Sequence, residues 1–262
     1  SIRRQRQMCI RDSYEALVYE DRKYTWSEIY KRCIKFASAL EKIGITKGDT
    51  VSVMACNTPE IFEAHYSVPM TGGVLNTINI RLDAKTVGYI LEHSDAKVFI
   101  GDEERITSLE DLVLDIPRIS VRSKRQDLKN TVAFEKVVKP IDHFPNVEVS
   151  PEDDASIMYT SGSTGFPKGV VSTHRSIIST PLSWLMLGFI ASSVDSGAGQ
   201  QIPEHPCTIA AVPLFHVTGS HSIFLLSVLL KRNIVLMYKW DPLEAIKLIE
   251  KHKVTTFSGV PT

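Results

Sequence analysis

Tyr159-Thr160-Ser161-Gly162-Ser163-Thr164-Gly165-Phe166-Pro167-Lys168-Gly169-Val170 is a run of hydroxyls and glycines closed by one lysine, and its reading decides the fold of this 262-residue chain. Ala155-Ser156-Ile157-Met158-Tyr159 before it reads as a short buried strand, and Val170-Val171-Ser172-Thr173-His174 after it as a strand leading into a helix start. The run therefore turns between two ordered elements. Glycine admits positive φ and lets backbone N–H groups approach an anion, Thr160, Ser161, Ser163 and Thr164 add hydroxyl donors, and Lys168 supplies a mobile positive charge. Such a loop suits the phosphates of a nucleotide.

Counting removes the better-known alternatives. A Walker loop needs glycine directly before its lysine, and Pro167 stands there. A nucleophile elbow needs glycines two residues away on both sides of a serine, which neither Ser161 nor Ser163 has. A plain Ser/Gly linker rarely sits between apolar strands or ends in Pro-Lys-Gly-Val.

Outward from the loop, strand and helix patterns alternate. Thr25-Trp26-Ser27-Glu28 is a capping box, after which Ile29, Cys33, Phe36, Leu40 and Ile43 recur at helical spacing until Gly44. Residues 51–55 read as a buried strand, 59–70 as a helix, 74–78 as a strand, and 97–100 as a strand after a helix that starts at Asp83 and brings Val87, Ile90 and Leu91 together. Later, 207–212 and 234–238 read as strands, 218–230 as a helix, and Asp241 caps a helix with Pro242 at its first position. Repeated strand–helix units of this length predict parallel sheets covered by helices. Residues 14–125 are expected to form a first α/β subdomain, 126–150 a connecting segment, and 151–262 the second. Residues 191–206 read as a surface loop near the substrate entrance. Met8-Cys9-Ile10-Arg11-Asp12-Ser13 resembles a translated sequencing adapter, so residues 1–13 are set aside.

Composition bounds the function. With 43% hydrophobic residues the chain can bury a sizeable core, and thirty basic residues balance thirty acidic ones, which gives no electrostatic case for a nucleic-acid partner. Arg122, Lys124, Arg125 and Lys129 read as a solvated loop. Cys9, Cys33, Cys56 and Cys207 are far apart and lack Cys or His neighbours in metal spacing, so they read as reduced thiols in a cytoplasmic protein. The apolar stretch 223–230 stops at Lys231-Arg232-Asn233, too short to cross a bilayer, and no secretory signal is visible at the start.

The glycine–hydroxyl loop resembles the phosphate-binding motif of the adenylate-forming (AMP-binding) superfamily, which includes acyl-CoA ligases, luciferases and peptide-synthetase adenylation domains. Gly73-Val74-Leu75-Asn76-Thr77-Ile78-Asn79-Ile80-Arg81-Leu82 resembles an upstream segment of fatty acyl-CoA ligases, with Ile80 where those enzymes usually carry proline. Pro213-Leu214-Phe215-His216-Val217-Thr218-Gly219 resembles their histidine motif, and Phe257-Ser258-Gly259-Val260-Pro261-Thr262 the start of the next. The resemblance implies the N-terminal part of the adenylate-forming fold, an α/β architecture of parallel-rich sheets with helices on both faces in two subdomains, without the C-terminal domain.

The chemistry it implies is attack of a carboxylate, from a medium- or long-chain fatty acid, on the α-phosphate of ATP, followed by opening of the acyl-AMP by coenzyme A. Thr160, Ser161, Gly162, Ser163, Thr164 and Gly165 would surround the β- and γ-phosphates. Thr160 would also lie near Mg²⁺, and Lys168 would neutralise pyrophosphate charge. His216, at the C-terminal edge of strand 209–212, would lie beside the substrate carboxylate; from the residues alone it also reads as a core histidine packed by Phe215. Val217, Ile223 and Phe224 fit an acyl tunnel or, more simply, a buried helix. His174, His205, His221 and His252 read as structural or surface residues, and Arg81 as an ion-pair partner. A carrier-protein-loading adenylation domain and a nucleotide-binding remnant without turnover are the alternatives. The chain is expected to be a fragment without ligase activity of its own, and peripheral membrane contact and a homodimer stay open.

Overall fold

The computed structural model describes residues 14–112, 115–125, 127–128, 130–138, 145–160, 165–194 and 205–259. Segment 1–13 lies outside the described residues. By internal contacts the chain forms two compact units: one takes the chain up to Tyr30, Asn57–Pro59 and everything from Arg175 on, and the other takes Lys31–Cys56 and Glu60–His174.

The first unit is built on a five-stranded sheet. β1 (Glu15–Tyr19) and β2 (Arg22–Thr25) form an antiparallel ribbon. The chain returns to this sheet much later with β10 (Cys207–Ala210), β11 (Asn233–Leu236) and β12 (Thr256–Phe257), giving the order β12-β10-β11-β1-β2. Every pairing except β1 with β2 is parallel. Ile209, Met237 and Ala245 form a small core beneath it. Ala245 comes from the helix Pro242–His252, whose start is fixed as the sequence predicts: Pro242 opens it and Asp241 Oδ1 accepts from the Glu244 N–H at 2.8 Å.

The second unit holds a seven-stranded sheet in the order β7-β6-β5-β3-β4-β8-β9. Its strands are β3 (Thr50–Met54), β4 (Val74–Thr77), β5 (Ala96–Asp102), β6 (Arg118–Val121), β7 (Thr131–Ala133), β8 (Asp154–Thr160) and β9 (Lys168–Thr173). All neighbours are parallel except β8 and β9. Met54, Ile78, Val87, Ile90, Leu91 and Phe99 are central to one buried cluster, and each such side chain contributes about 1.5–3 kcal/mol on leaving water.

The helices complete the chain order: α1 (Trp26–Lys42), α2 (Pro59–Met70), α3 (Ala84–His93), α4 (Glu103–Ser108), the short α5 (Phe134–Val137), α6 (His174–Val194), α7, which is π-type over Thr218–Leu225 and α-type over Leu226–Leu229, and α8 (Pro242–His252). The capping box closes reciprocally, since the Thr25 N–H donates to Glu28 Oε2 at 2.7 Å and the Glu28 N–H donates to Thr25 Oγ1 at 3.2 Å. Ile29, Cys33, Phe36 and Leu40 are buried along α1, whereas Ile43, just past its end, is 41% exposed. Asp83 caps α3 by accepting from the Thr86 N–H at 3.0 Å.

β8 and β9 are antiparallel within this parallel-rich sheet, because only a short turn joins them and a parallel partner would need a crossover of a dozen or more residues. Other elements differ from the sequence expectation. β8 is buried only at Ala155 and Ser156 and becomes exposed at Thr160, since its next neighbour is the edge strand β9. Residues 191–194 continue α6, and 195–204 of the expected surface loop lie outside the described residues. α6 leaves Ile178, Met186, Leu187, Phe189 and Ile190 exposed, yet no helix among the described residues is long and apolar enough to cross a membrane. Cys33, Cys56 and Cys207 are free and buried, and Cys9 lies outside the described residues.

Thr25→Ala is expected to lower the unfolding free energy by about 1 kcal/mol. Thr25→Ala/Glu28→Ala should cost less than the sum of the single changes, read as urea midpoints, because each residue caps the other's backbone.

Candidate functional site

The phosphate-loop candidates occupy the turn between β8 and β9. In the antiparallel register Tyr159 faces Gly169 and Thr160 faces Lys168. Directly opposed residues carry their side chains on the same face of the ribbon, with Cβ atoms about 5 Å apart. The Thr160 and Lys168 side chains therefore leave the ribbon on one face at the base of the turn. Both residues are exposed, and neither side chain is engaged by a described residue. Gly165 within the turn has φ +95° and nothing within 4 Å of where a Cβ would lie. Its requirement is thus backbone conformation alone, the property that lets a turn aim peptide N–H groups inward. Ser161, Gly162, Ser163 and Thr164 lie outside the described residues.

His216 stands in the other compact unit, beyond the C-terminal end of β10. The segment that carries it is fixed by a residue the sequence reading missed. Asn57 is 3% exposed, and its Nδ2 donates to the carbonyls of Ala210 and Val212, both at 3.1 Å, while its Oδ1 accepts from the Leu214 N–H at 2.9 Å. One side chain thus pairs the Val212 carbonyl and the Leu214 N–H, which have left the strand ladder and would each cost about 1–3 kcal/mol if buried without a partner, and adds a second donor to the Ala210 carbonyl, which also accepts from the Met237 N–H at 3.2 Å. The His216 N–H then donates to the Pro213 carbonyl at 3.1 Å, and Ser220 donates to the His216 carbonyl from its N–H at 2.9 Å and its hydroxyl at 3.0 Å. Gly219 makes this fold-back sterically feasible, since a Cβ there would sit 2.1 Å from the Pro213 carbonyl oxygen.

The result is an exposed His216 ring lying 4.6 Å from the ring of buried Phe215. A buried core histidine is not what the chain builds here. His221 fills that role: it is 7% exposed, its Nδ1 lies 2.8 Å from Ser220 Oγ, and burial holds its pKa below the ordinary imidazole value. The helix predicted over 218–230 begins as a π-helix, whose wider turn is frequent at functional sites. Ile223 and Phe224 are buried while Val217 is 55% exposed. Arg81 is exposed and makes no ion pair with a described residue, and its backbone N–H donates to Asn79 Oδ1 at 3.0 Å. Among the described residues no group of three or more His, Cys, Asp or Glu side chains could hold a metal ion.

With this geometry in hand, comparison with known proteins identifies the group. The family model described as AMP-binding enzyme matches residues 5–262. The chain belongs to the AMP-binding enzyme family. Butyrate–CoA ligase AAE11 of Arabidopsis thaliana, named as peroxisomal, is 31% identical over 265 residues, covering 94% of this chain and 44% of that protein. Trans-cinnamate:CoA ligase of Petunia hybrida, also named as peroxisomal, is 32% identical over 228 residues, covering 78% of this chain and 38% of that protein. The inhibitor-bound N-terminal domain of FACL13 from Mycobacterium tuberculosis matches with TM-score 0.79 and 25% identity, over 98% of this chain and 61% of that one. O-succinylbenzoate coenzyme A synthetase from Bacillus subtilis, in complex with ATP and magnesium ion, matches with TM-score 0.72 and 24% identity, over 97% of this chain and 48% of that one, a likeness of fold. The AMP-binding chain therefore spans less than half the length of these curated relatives, and its two parallel-rich sheets have the architecture of the N-terminal region of adenylate-forming enzymes.

Asn57→Leu in this AMP-binding chain is expected to cost about 2 kcal/mol or more, because it leaves the Val212 carbonyl and the Leu214 N–H unpaired and removes one of two donors to the Ala210 carbonyl. Gly219→Ala should cost about 1–3 kcal/mol through the clash with Pro213. Both follow from denaturant midpoints at unchanged slope.

Proposed function

We propose that the β8–β9 turn of this AMP-binding chain holds the β- and γ-phosphates of ATP, and that the protein it represents activates a carboxylic acid to acyl-AMP and passes the acyl group to coenzyme A. The observation that carries this reading is the placement of Thr160 directly opposite Lys168, with Gly165 at positive φ in the turn between them. Together they offer a hydroxyl, a cation and a backbone bend at one spot, with neither side chain committed to a described neighbour.

The division of labour follows from the chemistry. In the adenylation step the carboxylate oxygen forms a bond to the α-phosphorus, the bond from that phosphorus to the bridging oxygen breaks, and pyrophosphate departs with the electron pair. In the second step the thiol sulfur attacks the acyl carbon and AMP departs. Little covalent work falls to the protein, so rate comes from alignment and from stabilising charge on the leaving group. Lys168 supplies compensating charge for the pyrophosphate oxygens, and Thr160 donates a hydrogen bond or presents its oxygen to a cation. Mg²⁺ fits this donor set, since it prefers phosphate oxygens and water with few protein ligands, and when bound it offsets phosphate charge. Among the described residues no cluster of carboxylates competes for the ion. Ser161, Gly162, Ser163 and Thr164 are proposed to complete the cradle, and exposed His216 to orient the substrate carboxylate.

The acid is proposed at two levels. A carboxylic acid is what the CoA-ligase relatives have in common by name. A medium- or long-chain fatty acid is the narrower proposal, resting on the resemblance of residues 73–82 and 213–219 to fatty acyl-CoA ligases. The buried free thiols of Cys33, Cys56 and Cys207 favour a reducing compartment such as the cytoplasm, although relatives carry "peroxisomal" in their names.

Isothermal titration of the 262-residue chain with Mg²⁺ and ATP tests the reading. Thr160→Ala and Lys168→Ala are each expected to weaken binding about tenfold to a hundredfold, the range for losing one hydrogen bond to a charged group, with unfolding midpoints unchanged because both side chains are exposed. Wild-type affinity in the double variant would sink the assignment.

A further inference from the structure

The paired ends of β8 and β9 extend past the strand that supports them. β4 pairs with β8 at Ser156, Ile157 and Met158, so Tyr159 and Thr160 lie beyond that support and are paired through β9 alone in the ladder. A two-stranded extension of this kind is weak by itself. Two side chains of α3 meet it. The Tyr159 hydroxyl lies 2.8 Å from His93 Nδ1, with the two rings edge to face at 5.9 Å. His93 stacks on Tyr89 at 5.3 Å, and Tyr89 in turn contacts the Phe166 ring at 5.1 Å.

Tyr89 and His93 are four residues apart and hence neighbours on one face of α3, whose Val87, Ile90 and Leu91 are buried in the core. The four rings form one unbroken series, Tyr159 to His93 to Tyr89 to Phe166. Its ends are the residue immediately before Thr160 and the residue two before Lys168. Burial does not account for this arrangement, because Phe166 is 63% exposed and still rests against Tyr89. Gly169, opposite Tyr159, leaves room for it: a Cβ there would come within 3.0 Å of Ile157 Cγ2 and 3.2 Å of Tyr159 Cζ.

We propose that Tyr89 and His93 are positioning residues for the phosphate site, bracing its two flanks through Phe166 and Tyr159 so that Thr160 and Lys168 are held in place before the nucleotide arrives. The inference rests on the phosphate-binding reading of the turn. Restraint of this kind lowers the ordering cost of binding and leaves global stability nearly untouched at the exposed end of the series. A ring pair of this type corresponds to a change in affinity of about twofold to tenfold.

The test is Mg²⁺–ATP and pyrophosphate titration of the full 262-residue chain carrying Phe166→Ala, Phe166→Tyr, Tyr89→Leu and the double variant Phe166→Ala/Tyr89→Leu, with Thr160→Ala as reference. Phe166→Ala and Tyr89→Leu are expected to weaken both ligands about threefold to tenfold, the double variant to be no weaker than the worse single change, and Phe166→Tyr to restore wild-type affinity. The unfolding midpoint of Phe166→Ala should stay at the wild-type value, so this variant decides the matter even where Tyr89→Leu unfolds. Unchanged affinity in Phe166→Ala with Thr160→Ala impaired, or strictly multiplicative effects in the double variant, overturns the positioning role and leaves the turn as a phosphate site. Absence of ATP binding by the wild type, or an unimpaired Thr160→Ala, overturns the phosphate reading and this inference with it.

Discussion

The buried amide of Asn57 is the interaction on which the C-terminal edge of the five-stranded sheet depends. A strand that ends inside a protein leaves carbonyls and N–H groups without ladder partners, and water cannot reach them to compensate. Asn57 answers with both halves of its amide, donating to Ala210 and Val212 and accepting from Leu214. No other side chain of that size offers two N–H donors and a carbonyl in one plane; aspartate lacks the donors, and leucine lacks everything but the volume. Once the path through Pro213 is fixed, the turn to His216 and the fold-back at Gly219 follow from short local hydrogen bonds. The exposure of His216 is thus a consequence of backbone satisfaction elsewhere.

The second unit solves a different problem at its sheet edge. β9 is an edge strand, with Val170 and Val171 about half exposed, and it is joined to β8 by a turn rich in glycine and hydroxyls. An antiparallel register has an alternation that a parallel one lacks, and here it places a threonine and a lysine directly across from each other. A one-residue slip would send one of the two to the opposite face. The ring series from α3 reaches this stretch from outside the hairpin, while the absence of a side chain at Gly169 leaves room within it for Tyr159.

Local signals were the legible ones. The capping box at Thr25 and Glu28, the caps at Asp83 and Asp241, and the apolar spacing of Ile29, Cys33, Phe36 and Leu40 are written within a few residues of the structure they specify, and the helices start where those residues say. Thr160, Gly165 and Lys168 could be picked out for the same reason. What stayed hidden depends on distant partners: Asn57 acts on residues more than 150 positions away, and Tyr159 meets His93 at a separation of 66. The antiparallel pairing across the loop is set by the short connection itself, against a chain that elsewhere alternates strand with helix and pairs its strands in parallel. The π-helical start at Thr218 has the same apolar spacing as an ordinary buried helix over so short a run.

The same logic explains why the reaction class comes into view sooner than the acid. Holding phosphates requires a bend, a cation and a few donors, residues whose spacing is short and whose chemistry is generic. Choosing among acids requires the shape of a cavity, assembled from side chains scattered along the chain, each indistinguishable from core in a sequence. The relatives bear this out: proteins named as ligases of butyrate, cinnamate and benzoate are 31%, 32% and 31% identical to this chain, so identity over the shared region carries no information about which acid is bound. Ile223 and Phe224 show why, since both are buried as any core residue would be and nothing in their placement separates packing from substrate contact. A discrimination worth one methylene is only about 1–3 kcal/mol. Contacts of that size can change from one acid to another while the bend, cation and donors that phosphates require stay generic.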